Sequence, residues 1–229
     1  HTIMISILTM NPLTAPLVSD DEHSTKPLSP KRCLAEEATR PNKRAKRVSY
    51  VAARDLSTND STDDLEIRVP QDFSSVEDAV HFCNHEFIRA ALRSETDKKI
   101  TIHIDPRGFW DIESPLVVNA VGVNSSLVLA SSSDCAAHLS MDTQTPNQPL
   151  LKVVAGNVTL QDVSLEHCSR VELLTLSSSN NAAVVIDRDA KSSSLTLNNV
   201  ELRSYSGRGL INRNSDCQVV NTDSYIGRP

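Results

Sequence analysis

Val158-Thr159-Leu160-Gln161-Asp162-Val163-Ser164-Leu165 returns 37 residues later as Leu195-Thr196-Leu197-Asn198-Asn199-Val200-Glu201-Leu202. In both copies a short stretch of alternating apolar and polar residues meets a small polar residue, and a second alternating stretch follows. Such alternation is the mark of a strand with one buried face. Asp or Asn between two such strands points to a sharp bend, whose backbone groups the short side chain satisfies. A weaker copy, Cys217-Gln218-Val219-Val220-Asn221-Thr222-Asp223-Ser224, starts 22 residues after Leu195 and puts Asn221 at the bend. Ser126-Leu127-Val128-Leu129 opens an earlier unit without the polar residue. Repeats of this length suit units that bury their apolar edges only against neighbouring units.

Upstream, the pattern predicts a helix as the first ordered element. Ser74 with Glu77 three residues later is a capping-box pair. Phe73, Val76, Val80, Cys83, Phe87 and Ala91 then recur every three or four residues and make one apolar stripe. Polar Ser94 to Lys99 ends it. Ile100-Thr101-Ile102-His103-Ile104 alternates strictly as a strand, and Asp105-Pro106-Arg107-Gly108 breaks that strand before Phe109-Trp110.

This order of helix, Ile-Thr-Ile-His-Ile strand, Pro-x-Gly-aromatic break and repeated Leu-Thr-Leu-x-Asn-Val-x-Leu units resembles the right-handed parallel β-helices of the pectin-lyase-like superfamily. The resemblance covers about residues 66–229 and implies an all-β solenoid whose opening helix, Phe73 to about Leu92, covers the first coil. It also implies a ladder of stacked turn residues, here Asp162, Asn199 and Asn221. After Lys99 there is room for five or six coils of about 20–25 residues. The 37-residue step then needs a long loop, for which Ser177 to Asn181 or Lys191 to Ser194 is suited. The chain stops at Pro229 soon after a strand, so the last coil is expected to be uncapped, truncated or paired end to end with another chain.

Charge divides the chain. Residues 1–50 hold 8 Lys and Arg against 5 Asp and Glu, whereas the other 179 hold 15 against 24, within a net charge of −6. An acidic body argues against direct nucleic-acid binding, which needs clustered basic side chains. Residues 1–65 read as a disordered leader, because no apolar periodicity there could offset the entropy of ordering. Lys31-Arg32, ten intervening residues and Lys43-Arg44-Ala45-Lys46-Arg47 resemble a bipartite nuclear import signal for an importin-type receptor. Ser29-Pro30 before the first cluster fits a proline-directed kinase, and phosphate there would oppose the basic charge. Arg32-Cys33-Leu34 matches a minimal cyclin-docking pattern. The apolar stretch Ile3 to Met10 lacks the basic flank and cleavage site of a secretory signal, although secretion is the alternative address. No run of about 20 apolar residues exists to span a membrane.

Chemistry is sparse. Asn221-Thr222-Asp223 looks like the Asn-Thr-Asp of polygalacturonase-type hydrolases, which makes Asp223 the one candidate catalytic residue. Such hydrolysis needs a second carboxylate at a fixed separation, and the companion motifs of that family are missing downstream. Five Cys at wide intervals form neither a disulfide framework nor a metal-ligand spacing. His81 and His85 lie at i, i+4 but without the Glu of a zinc protease, so no metal or cofactor is expected. His103 and His167 are expected to face outward, and Cys168 and Cys217 to pack inside. Asn59, Asn124 and Asn157 each begin a glycosylation tripeptide that matters only on secretion. The function expected is a non-catalytic protein-interaction module on a solenoid face, with a nuclear address. The alternative is a carbohydrate-active enzyme, hydrolase or lyase, or its truncated remnant.

Overall fold

The computed structural model describes residues 64–122, 124–170, 180–205 and 208–227. The leader, with its basic clusters, lies outside these residues. The described part is mostly strand, with one helix, and every strand pairing in it is parallel.

The first ordered element is a strand rather than the expected helix. β1 (Leu65–Val69) buries Ile67 and Val69 and pairs with β2 (Lys99–Ile104), Leu65 opposite Ile100. Between them runs α1 (Val76–Leu92). Its N-cap is Ser75, one residue later than the sequence pattern suggests, with a side chain that accepts from Asp78 N. The buried stripe ends on Ala90, and Ala91 is exposed.

Three further groups of strands follow the chain in turn. β3 (Trp110–Asp111), β6 (Ala137–Thr143), β8 (Val163–Ser169), β10 (Glu201–Ser204) and β13 (Tyr225–Gly227) form one five-stranded sheet in that spatial order. β2, β5 (Ser126–Ser131), β7 (Leu151–Gln161), β9 (Ala182–Asn198) and β12 (Gln218–Thr222) stack side by side through the C-terminal halves of the long strands. The N-terminal halves of β7 and β9 pair instead with β4 (Leu116–Asn119) and β11 (Arg208–Asn212). Each strand inside a stack is therefore neighboured by the strand one repeat earlier and one repeat later.

Register gives the true repeat. Ile100, Leu127, Val158, Leu195 and Val219 are successive neighbours, so the steps are 27, 31, 37 and 24 residues. The last step corrects the expected 22 and slides the third copy by two. The 37-residue step carries extra length at residues 187–190, where the register jumps from Val153–Ile186 to Ala155–Lys191. Lys191 to Ser194, one of the two expected loops, lies inside β9. Of the other, 177–179 lie outside the described residues and Asn181 is buried.

The interior follows from the alternation. Ile100, Leu127, Val158 and Leu195 are fully buried in one file, as are Leu139, Leu165 and Leu202 in another. Each such side chain contributes about 1.5–3 kcal/mol on leaving water. At the N-terminal side α1 closes the free edge of β4. Asn84 donates from Nδ2 to Val117 O at 2.7 Å and accepts from Asn119 N at 2.9 Å, as a neighbouring strand would. Gly108 is required by close approach, since a Cβ there would collide with the Trp110 ring, whose Nε1 donates to Asp105 O at 2.8 Å. No helix among the described residues is long and apolar enough to cross a membrane.

Candidate interaction face

The bends between strands are built by single residues in the left-handed region. Asp162, Asn199 and Asp223 have φ of 52°, 51° and 51°. Asn199 Nδ2 donates to Asp162 Oδ1 at 2.8 Å, which ties one bend to the next. Short polar side chains tolerate this conformation better than other non-glycine residues. The third position is Asp223, not Asn221. Asn221 lies within β12 opposite Leu197, exposed, with its Nδ2 3.5 Å from Ser224 O. The slide of two residues explains the shift. Asp223 is consequently the exposed residue of a turn, and Ser224 beside it donates to Thr222 O and accepts from Val200 N.

On the five-stranded sheet, alternate residues of each strand face outward and inward, although outward Ser164 is itself covered. Outward lies a row of His138, Ser164, Glu201 and Tyr225, and beside it a row of Asp111, Ser140, Glu166 and Arg203. A third row begins with Asp142 opposite Cys168, next to exposed Arg170 and Tyr205. The four carboxylates here are all engaged. Ser140 donates to Asp111 at 2.7 Å, His138 lies 3.8 Å from Glu166, Arg203 lies 2.5 Å from Glu201, and Arg170 grips Asp142 with Nε and Nη2. The Glu201 carboxylate holds the Arg203 guanidinium proton more tightly than usual. Burial, with Asp142 adding to it, pushes the Cys168 thiol up and away from thiolate character.

Inward on the same strands the expectation fails at two places. His167 is fully buried rather than outward, and Cys168 faces the surface rather than the interior. The phase is set by Leu165, whose neighbours two residues on must share its side. Cys168, apolar in character, suggests the opposite phase. Cys217 does pack inside. Around His167 the interior turns polar. His167 Nε2 meets Gln148 O at 2.8 Å, Gln148 N donates to Asn181 Oδ1 at 3.0 Å, and Asn181 Nδ2 donates to Ser169 Oγ. Thr143 bonds the Gln148 side chain. His167 Nδ1 and Ser204 Oγ, on neighbouring strands in register, are buried without a hydrogen-bond partner among the described residues. Burial lowers the His167 pKa below 6.5, more than its bond to Gln148 O and the charge of Asp142 raise it.

Other expected residues are placed as follows. His103 is half-buried with Nε2 4.0 Å from Glu66, and it lines an open cleft of about 460 Å³ with Glu66, Arg68, Gln71 and Ser132. Asn157 is engaged by Ser194 Oγ at 2.8 Å inside β7, whereas Asn124 is exposed and donates to Asp97. Lys31, Arg32, Lys43, Arg44, Lys46, Arg47, Ser29 and Asn59 lie outside the described residues. The residues missed from sequence are Arg203, Tyr205 and Tyr225. Continuing the period-two alternation outward from Leu202 would have found the first two.

No family model, curated protein or solved structure matches this chain.

Proposed function

We propose that residues 65–227 wind as a right-handed parallel β-helix of the pectin-lyase-like kind and serve as a non-catalytic protein-interaction module. The docking surface is the outward face of the β3, β6, β8, β10 and β13 sheet. The basic clusters at Lys31-Arg32 and Lys43 to Arg47 carry the module to the nucleus through an importin-type receptor.

The observation that supports binding over hydrolysis is the state of the carboxylates on this face. Asp111, Asp142, Glu166 and Glu201 each lean on a hydroxyl, imidazole or guanidinium partner. Glycoside cleavage needs a pair of carboxyl groups free to face the sugar from a fixed separation, whereas each carboxyl group on this face is committed to a neighbouring side chain. Rigid strands bearing Arg and Tyr among mixed charges suit recognition of another protein, since those residue types dominate binding energy at interfaces. Tyr205 and Tyr225 are about half exposed, at 51% and 50%.

The test is the triple variant Arg203→Ala, Tyr205→Ala, Tyr225→Ala in the full chain, beside a control variant Thr159→Ala, Thr196→Ala on another face. Proteins crosslinked to the wild type in nuclei are purified and titrated against all three. At least one should bind the wild type and the control equally and the triple variant more than tenfold less tightly. Equal binding by the triple variant would move the docking surface elsewhere. Cleavage of polygalacturonate that disappears in Asp223→Asn would replace the whole proposal with the enzyme reading. Equal distribution of the wild type and of a variant with Lys43, Arg44, Lys46 and Arg47 changed to Ala would remove the import signal.

A further inference from the structure

α1 has a second face that the interior does not use. Val76, Ala79, Val80, Cys83, Phe87 and Ala90 point into the core, while His81 and His85 are exposed one turn apart on the outer side. Their rings touch edge to face, with centroids 4.6 Å apart and planes at 68°. We propose that this pair chelates a late first-row divalent cation (zinc, nickel or copper), with water filling the other coordination positions.

Geometry carries the case. An imidazole nitrogen binds such an ion at about 2.0–2.1 Å, which puts each ring centroid about 3.2 Å from the metal. Two imidazoles in adjacent coordination positions, at about 90–110°, then have centroids about 4.5–5.2 Å apart. The observed 4.6 Å matches that separation, and turning the exposed rings out of their edge-to-face contact about their side-chain bonds aims the two nitrogens at one point with the helix unmoved. Residues four apart on a helix are neighbours along its surface, so the backbone holds the two rings within reach of one ion.

Chemistry agrees. Neutral imidazole prefers zinc, nickel and copper over calcium or magnesium, which require oxygen ligands. Asp78, three residues before His81, is exposed on the same side and adds negative potential. Of the other nearby carboxylates, Glu77 accepts from Glu113 N at 3.0 Å and Glu86 is paired with Arg89 at 2.8 Å. The site has two protein ligands among the described residues. Among the described residues no group of three or more His, Cys, Asp or Glu converges on a point. Affinity should therefore rank copper above nickel and zinc and remain weaker than that of a closed structural site.

Zinc chloride titrated into the full chain tests this, read by calorimetry and by the ring signals of assigned histidines in NMR. His81 and His85 should shift together at one equivalent, while His103 and His138 stay in place. His81→Asn, His85→Asn and the double variant should each lose one bound equivalent with an unchanged unfolding midpoint in the absence of metal. The variant His81→Asn, Arg89→His, which recreates the four-residue spacing one turn along, should regain it. Shifts confined to other histidines, or a double variant that binds as many equivalents as the wild type, would overturn the site.

Discussion

Two files of side chains, one on each of two stacks of parallel strands, are held by opposite means. The file of Ile100, Leu127, Val158 and Leu195 is wholly aliphatic and buried. The interior beneath β6, β8 and β10 begins the same way with Leu139, Leu165 and Leu202, then turns polar two to four residues further along, at Thr143, His167, Ser169 and Ser204, with buried Asn181 bonded to Ser169. Aliphatic burial is non-directional and tolerates the uneven repeat lengths of this chain. Polar burial is worth little unless every group finds a partner. Here Asn181 bonds to Gln148 and Ser169, yet His167 Nδ1 and Ser204 Oγ find none among the described residues. The aliphatic file thus makes the stability, and the polar layer makes it conditional.

Breaking the aliphatic side should cost most. Leu127→Ala, fully buried between Ile100 and Val158, should lose about 2–5 kcal/mol in urea unfolding. In the polar layer, Asn181→Ala strips Gln148 N and Ser169 Oγ of a partner together and should cost about 1–3 kcal/mol by the same method. The polar layer should also respond to pH where the aliphatic file does not. His167 has a lowered pKa when folded, so the unfolded chain binds more protons below 6.5. Its contribution is then complete above 6.5 and lost as pH falls through the folded value. His167→Gln should reduce the fall in stability between pH 7 and pH 5, measured as the unfolding free energy of variant and wild type at each pH. A slope unchanged by the substitution would show that His167 is not the sensor. The smallest effect belongs to the bends. Asn199→Gly keeps the left-handed backbone and should change stability by a few tenths of a kcal/mol, whereas Asn199→Val should cost about 1–2 kcal/mol.

Much of the strand pattern could be read in advance because alternation is local. The copies at Val158 and Leu195 align as expected, and Asp162 and Asn199 sit at the bends. The third copy misled because Val219 and Val220 fit either phase, and only the pairing of Val219 with Leu195 chooses. β1 was legible in Leu65, Ile67 and Val69 but is short and isolated in sequence. The inward turn of His167 was hidden by Cys168, which competes for the apolar phase. The outward face could not be read from any motif, since Asp111, Ser140, Glu166 and Arg203 come from four separate strands. Only register brings them into line.

Register is also what a single experiment can reach. Thr159 and Thr196 are 37 positions apart in the chain and directly opposed on β7 and β9. Neighbouring strands lie about 4.7–4.9 Å apart, within the Cα separation of about 4.4–6.8 Å that a disulfide spans. With Cys135 and Cys168 replaced by Ser, the pair Thr159→Cys, Thr196→Cys should crosslink within the monomer on mild oxidation. Thr159→Cys with Asn198→Cys, two residues out of step, should not. Efficient crosslinking of the offset pair, or none of the matched pair in a folded protein, would contradict the parallel stacking from which the rest is argued.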